Sequence, residues 1–266
     1  MSKRLLPFLI LSATTVFCIA YYPLCGLFAT LLIIAGLYEF FYMVEKKGVQ
    51  LFKIVGLLVG ALIPITIYFH FSVSEGLQFL FIVIALFAFF LLELTKKDTH
   101  QSILSISATV FGVIYISWCF SFIIRIRQFP QGAVLVAFLV LVTKSSDVGA
   151  YLWGKKFGKT RLLKRVSPKK SLEGAVGGFF TSIVVGLLFY VFIGTNTFWD
   201  FLEKFFLIII LAMIAQLGDL FESLLKRDCQ VKDSGKIFPG MGGILDVIDS
   251  LIFTAPTFYL YLTMLR

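Results

Sequence analysis

Along this chain, apolar residues do not alternate with polar ones at a strand period. They run almost unbroken for long stretches between short polar breaks. Nine such runs fall near 5–21, 24–43, 52–70, 77–94, 102–124, 130–147, 174–194, 204–222 and 244–263. Each is close to the roughly 20 residues that cross a hydrocarbon layer about 30 Å thick. Backbone in that layer has no water to bond, so each run must satisfy its own N–H and C=O groups and forms a helix. A membrane β-barrel would show alternating segments of about ten residues instead. The pattern predicts an all-α polytopic integral membrane protein with about nine transmembrane helices. The first run follows Ser2-Lys3-Arg4 and imitates a signal peptide. No small-x-small cleavage site precedes Tyr21-Tyr22-Pro23 and eight runs follow, so it reads as an uncleaved anchor.

Composition agrees and excludes other classes. Of 266 residues 59% are apolar and only 15% are charged, too few to give a domain of this length a polar shell. Cys18, Cys25, Cys119 and Cys229 show no C-x-x-C spacing, which argues against a disulfide or zinc framework. With only His70 and His100 available, a metal would need oxygen ligands, which favours Mg²⁺. All of the 24 basic residues except Arg125, Arg127, Lys204 and Arg266 fall on the side of the N-terminus, which the inside-positive rule assigns to the cytoplasm. The net charge of +9 is thereby explained by loops and a phosphorylated substrate, without a nucleic-acid partner. The two long loops, 148–173 and 223–243, both face the cytoplasm in this scheme. Residues 1–125 then form a scaffold carrying almost no buried charge, and 126–266 a catalytic transmembrane region.

The charges of the second half gather in a few places. Lys144-Ser-Ser-Asp147 closes the sixth run, and an acid at membrane depth is costly unless paired or metal-bound. The plainer reading is a helix-end acid paired to Lys144. Gly149-x4-Gly154-Lys155-Lys156 imitates a nucleotide P-loop, but it lacks the following Ser or Thr and carries bulky Tyr151 and Trp153, so it is rejected. Ser167-Pro168-Lys169-Lys170 reads as the first turn of the seventh helix, where a positive helix end and two lysines would suit an anion. An inside-positive loop drawn to anionic lipid is the plainer reading there. Asp219, Glu222, Ser223 and Lys226 recur at helical spacing and share one face, followed by Arg227, Lys232 and Asp233. A loop with Gly235, Pro239, Gly240, Gly242 and Gly243 lets backbone approach a ligand, and it leads into a helix bearing Asp246 and Asp249. A divalent metal bridging Asp219 and Asp246, beside basic residues for phosphate, would suit phosphoryl or nucleotidyl transfer.

The stretch Ser223-x-Leu-Lys226-Arg227-x4-Lys232-Asp233-x-Gly235-x2-Phe238-Pro239-Gly240-x-Gly242-Gly243-x2-Asp246-x2-Asp249 resembles the C-terminal signature of phosphatidate cytidylyltransferases, or CDP-diacylglycerol synthases. Ser146-Asp147-x-Gly-Ala-Tyr151 and Ser167-Pro168-Lys169-Lys170-Ser-Leu-Glu173-Gly174 resemble two further blocks of that family, in the same order. Two positions depart from its usual pattern: Met241 stands where His is common, and Val247 where Arg is common. Both departures remove polar contacts and leave the carboxylates intact, which favours a variant active enzyme over an inactive homologue.

The resemblance implies CTP and phosphatidate as substrates, giving CDP-diacylglycerol and pyrophosphate for phospholipid synthesis at the cytoplasmic face of a bacterial inner membrane. It implies Mg²⁺, leaves a second, monovalent cation open, and carries the expectation of a homodimer. Metal ligation falls to Asp219 and Asp246, with Asp249 and Asp147 as supports. Lys169, Lys170, Ser223, Lys226, Arg227, Lys232 and Asp233 would serve phosphate or CTP, with Gly242 and Gly243 admitting the nucleotide. Asp219, Asp246, Asp249 and Lys226 form the catalytic set, and membrane lipid supplies one substrate laterally. A CTP-dependent lipid-alcohol kinase is the nearest alternative. A transporter of anionic substrates is less favoured, because its broken helices should recur in both halves. Gly56-x3-Gly60 offers a small-residue face for helix packing within or between chains.

Overall fold

A computed structural model describes residues 14–69, 84, 87–94, 101–163, 165–193, 198–237 and 242–264. The principal helices are α1 (Tyr22–Lys46), α2 (Lys53–Tyr68), α3 (Ser102–Arg127), α4 (Gly132–Phe157), α5 (Leu172–Ile193), α6 (Phe198–Asp228) and α7 (Leu245–Met264). Shorter helical pieces cover 14–20 and 87–94. Among the described residues, six helices are long and apolar enough to cross a membrane. The seventh, α2, has 16 residues and falls short of the expected run 52–70. Most of the first and fourth expected spans, 5–21 and 77–94, lies outside the described residues.

The helices start and stop for local reasons. Proline stands in the first turn of α1, where its missing N–H costs nothing, and Gly48 just beyond the end adopts φ +89°, a left-handed conformation that favours glycine. A π-helical stretch, Val113–Trp118, interrupts α3. The core runs down the middle of the bundle through Ile33, Leu37, Phe41, Ile116, Leu139, Ile208, Leu211 and Ile252, all fully buried. Ile54, Leu58, Leu62 and Ile103 point outward, as apolar side chains do where the surroundings are acyl chains.

Lipid is as apolar as leucine, so close approach rather than hydrophobicity must hold such helices together. Gly56 packs on Phe41 and Thr109, Gly60 on Leu37, and Ser117 donates a hydrogen bond to the Gly60 carbonyl. The Gly56-x3-Gly60 face is thus used within the chain. The tightest contact joins α4 and α5. A Cβ at Gly178 would meet the Ser146 carbonyl and Ala150, while Gly149 sits under Thr181 and Gly154 faces Ser171 and Gly174. The glycines of the rejected P-loop imitation therefore form a helix seam. They also explain why α4 runs to Phe157 rather than ending near 147.

The expected loop 148–173 is accordingly only partly a loop. Beyond α4, Arg161–Leu163 (β1) and Ser167–Ser171 (β2) pair antiparallel, Arg161 against Ser171 and Leu163 against Ser167. Apart from this short hairpin the described elements are helical, as the all-α expectation has it. Ser167-Pro168-Lys169-Lys170 lies in β2 and not in a helical first turn. Helix α5 starts later because the Ser171 hydroxyl accepts the Gly174 N–H at 3.1 Å, an N-cap bond three residues ahead. Glu173 clasps the hairpin by accepting the N–H groups of Lys159 and Thr160.

Replacing Gly178 by Leu should prise α4 from α5. Overpacking of this kind costs about 1–3 kcal/mol. The expected result is a lower unfolding temperature for the detergent-solubilised protein, read by thermal scanning fluorimetry, with an unchanged Tm arguing against the seam.

Candidate active site

The polar residues of α6 and α7 meet where the helices cross. Gly218 lies against the Asp249 carbonyl, the Ser250 backbone and the Phe253 ring, so the two helices approach closely there. About two turns along α6, Lys226 forms ion pairs with both Glu222 and Asp246. Glu222 is fully buried, and its Oε1 has no hydrogen-bond partner. Asp246 opens α7 and accepts the Ser234 N–H at 2.9 Å, the Ser234 hydroxyl at 2.8 Å and the Gly243 N–H at 2.7 Å. Gly242 adopts φ +102°, and a Cβ there would collide with the Asp246 carboxylate.

A residue that the sequence reading missed completes this corner. Glu39, 5% exposed on α1, accepts the Ser234 hydroxyl at 2.8 Å, the Ile244 N–H at 3.0 Å and the Leu245 N–H at 2.9 Å. A Cβ at Gly235 or Gly243 would strike its carboxylate. The expectation that residues 1–125 carry almost no buried charge is corrected by this acid. Its only sequence signal was a lone Glu inside the long apolar run 24–43.

A second polar group lies beside the first. Lys170, on β2, pairs with Asp219 at 2.6 Å and reaches Ser223 at 3.5 Å. Lys144, on α4, binds Asp147 and the Ser250 hydroxyl, both at 2.9 Å, and stands 4.0 Å from buried Asp249. Asp249 is within electrostatic reach of Asp219, Glu222 and Asp147, which joins the two groups into one cluster.

Other expected site residues are placed differently. Lys169, Lys232 and Asp233 are exposed, and Lys232 faces Asp233 at 3.9 Å. Arg227 donates to the backbone carbonyls of Val166 and Val231, tying the hairpin to the loop after α6. Val247 packs against the apolar core, and Met241 lies outside the described residues.

Among the described residues no three His, Cys, Asp or Glu side chains form a ready-made metal cage. The charges nevertheless do not balance. With Glu39, which shares Ser234 with Asp246, the cluster sets six carboxylates, the others being Asp147, Asp219, Glu222, Asp246 and Asp249, against three ammoniums, Lys144, Lys170 and Lys226. Its donors are hard oxygens, the chemistry that Mg²⁺ prefers, and its acids outnumber its ammoniums. Chemically, acids for a cation next to lysines for phosphate form a site for a polyphosphate substrate.

The chain matches the cytidylyltransferase family over residues 2–265. It is similar to the phosphatidate cytidylyltransferase of Thermotoga maritima, 36% identical over 259 residues, covering 93% of this chain and 90% of that protein. The phosphatidate cytidylyltransferase of Bacillus subtilis is 34% identical, covering 86% of this chain and 85% of its own length. That of Synechocystis is 32% identical, with 88% and 87% covered.

Lys226→Met would leave Glu222 and Asp246 facing each other unpaired, a class of change that costs about 3–5 kcal/mol. A large drop in Tm is expected, with partial recovery in Lys226→Met/Glu222→Gln. Equal Tm values for wild type and Lys226→Met would remove the ion-pair assignment.

Proposed function

The chain belongs to the cytidylyltransferase family, and from that membership we propose that it transfers the cytidylyl group of CTP to phosphatidate, at the acid–lysine cluster between α4, α6 and α7. The products are CDP-diacylglycerol and pyrophosphate. The observation that carries the placement is the cluster's unbalanced charge beside three lysines that phosphates can re-partner.

The chemistry asks little of a general base. The phosphate monoester of phosphatidate is already anionic near neutral pH, and one of its oxygens attacks the α-phosphorus of CTP. The bond from that phosphorus to the bridging oxygen breaks, and pyrophosphate leaves with the electron pair. The barrier is repulsion between two anionic phosphates and charge growing on the leaving group, so positioning and electrostatics dominate. Lys170 and Lys226 hold phosphate oxygens, and the Ser223 hydroxyl donates beside them. Lys144 keeps Asp147 and Asp249 oriented. Lys169, Lys232 and Arg227 add positive potential at the mouth, and Gly242 and Gly243 let the nucleotide approach the backbone. Asp219, Asp249 and Asp147 would hold Mg²⁺. Asp246, already engaged by Lys226 and three loop donors, contributes its charge and organises the loop. Bound there, Mg²⁺ would neutralise phosphate charge; a monovalent ion is a further candidate for the same acids.

The basic loops support an orientation with this end of the bundle at the cytoplasmic face of a bacterial inner membrane. Diacyl chains then reach the site sideways from the bilayer, between helices. On this reading residues 1–125 are the scaffold, 126–266 the catalytic region, and the working unit is a homodimer.

The test is pyrophosphate release by the detergent-purified protein given CTP and phosphatidate. EDTA should stop it and Mg²⁺ restore it. Asp219→Asn should lower kcat by at least about 10²-fold, the scale of removing one electrostatic contact to the transition state. Wild-type turnover in that variant would overturn the site, and release of CDP instead of pyrophosphate would identify a lipid-alcohol kinase.

A further inference from the structure

Glu39 stands outside every motif that points to the site, yet it makes three hydrogen bonds to the segment carrying those motifs. All three partners are donors. Two are the N–H groups of Ile244 and Leu245 at the start of α7, where the exposed N–H groups and helix dipole favour a negative charge. The third is the Ser234 hydroxyl, which lies 2.8 Å from Glu39 and 2.8 Å from Asp246. A hydroxyl has one proton, so Ser234 can serve only one of these carboxylates at a time, while its lone pairs face the Asp246 N–H at 3.4 Å. From Asp246 the contacts continue to Lys226 and from Lys226 to Glu222. A continuous polar chain thus runs from α1 through Ser234 and Asp246 to the ammonium group assigned above to phosphate.

The geometry around Glu39 is specific to a carboxylate. Gly235 and Gly243 leave the space its two oxygens fill. A glutamine has one acceptor oxygen, so its NH₂ would face one of the three donors. The neighbouring acid on the same helix, Glu45, is half-buried and pairs with Lys53 at 2.9 Å, away from the loop.

We propose that Glu39 is a positioning residue for cytidylyl transfer: it fixes the glycine-rich segment around Ser234 and Gly243 and, through Ser234 and Asp246, the ammonium group of Lys226. The proposal rests on the reaction and site assigned above. It makes α1 a working part of the catalytic end and not a spacer in a scaffold.

The test uses the full-length protein in detergent, with Glu39→Gln, Ser234→Ala, the double variant, and Glu45→Gln as a control for α1. Steady-state kinetics give kcat and KM for CTP and phosphatidate. Hydrogen exchange over 232–246 gives a readout independent of activity. Misplacement by about an ångström costs on the order of 10²-fold in rate, so kcat/KM should fall by roughly that factor in Glu39→Gln and Ser234→Ala while Glu45→Gln stays at wild type. Because both act through one chain, the double variant should lose no more than the worse single one. Exchange at Ser234, Gly243, Ile244 and Leu245 should rise in Glu39→Gln. If Glu39→Gln does not fold, Ser234→Ala carries the kinetic test, since it leaves the cap on α7 intact. Wild-type kinetics in Ser234→Ala, multiplying losses in the double variant, or unchanged exchange in a folded Glu39→Gln would overturn the proposal. A wild-type protein that releases no pyrophosphate would instead defeat the assigned reaction, and the exchange comparison would still decide whether Glu39 fixes the loop.

Discussion

A charge inside a bilayer-spanning bundle is stable only if an opposite charge or a donor lies within reach, and the architecture of this protein's polar end follows from that constraint. Lys226 is the clearest case. One ammonium pairs with a carboxylate from its own helix, Glu222, and with one from the next, Asp246. The pairing fixes α6 against the start of α7, and Asp246 in turn accepts the Ser234 and Gly243 N–H groups. Lys170 and Lys144 do the same for Asp219 and Asp147. On the proposed function, stability and substrate binding would draw on the same charges.

The sequence revealed the helices more fully than their lengths. Continuous apolar runs identify a segment as bilayer-spanning because the physics depends on each segment alone. Helix ends depend on neighbours. The glycine seam with α5 carries α4 on to Phe157, past the point where apolar residues thin out. The β1–β2 hairpin was invisible for a similar reason: three- and five-residue strands have little periodicity, and their clasp is a carboxylate, Glu173, from the following helix.

The site was legible wherever chemistry-bearing residues cluster along the chain. Asp219, Glu222, Ser223 and Lys226 share a helical face, as their spacing requires. Long-range pairings were not legible. Nothing in the spacing of 144, 170 and 226 says that three lysines will each meet an acid from another motif or turn, or that Arg227 will spend its donors on backbone carbonyls. Glu39 was the hardest. It lies 195 residues from Ser234, and a lone acid in an apolar run carries no periodicity to reveal its partner.

The long helices have one more consequence. Asp147 lies ten residues before the end of α4 and Asp219 nine before the end of α6. At a rise of 1.5 Å per residue, both sit about 13–15 Å below the helix tips. The same pairs set at the tips would be screened by water and salt, and such exposed pairs contribute up to about 1 kcal/mol each. Below the tips they are about a third exposed, so they are partly shielded from water and a unit charge is felt more strongly than at the surface. On the proposed function, the extra turns of α4 and α6 would work as a parapet that sets the depth at which two phosphates are brought together.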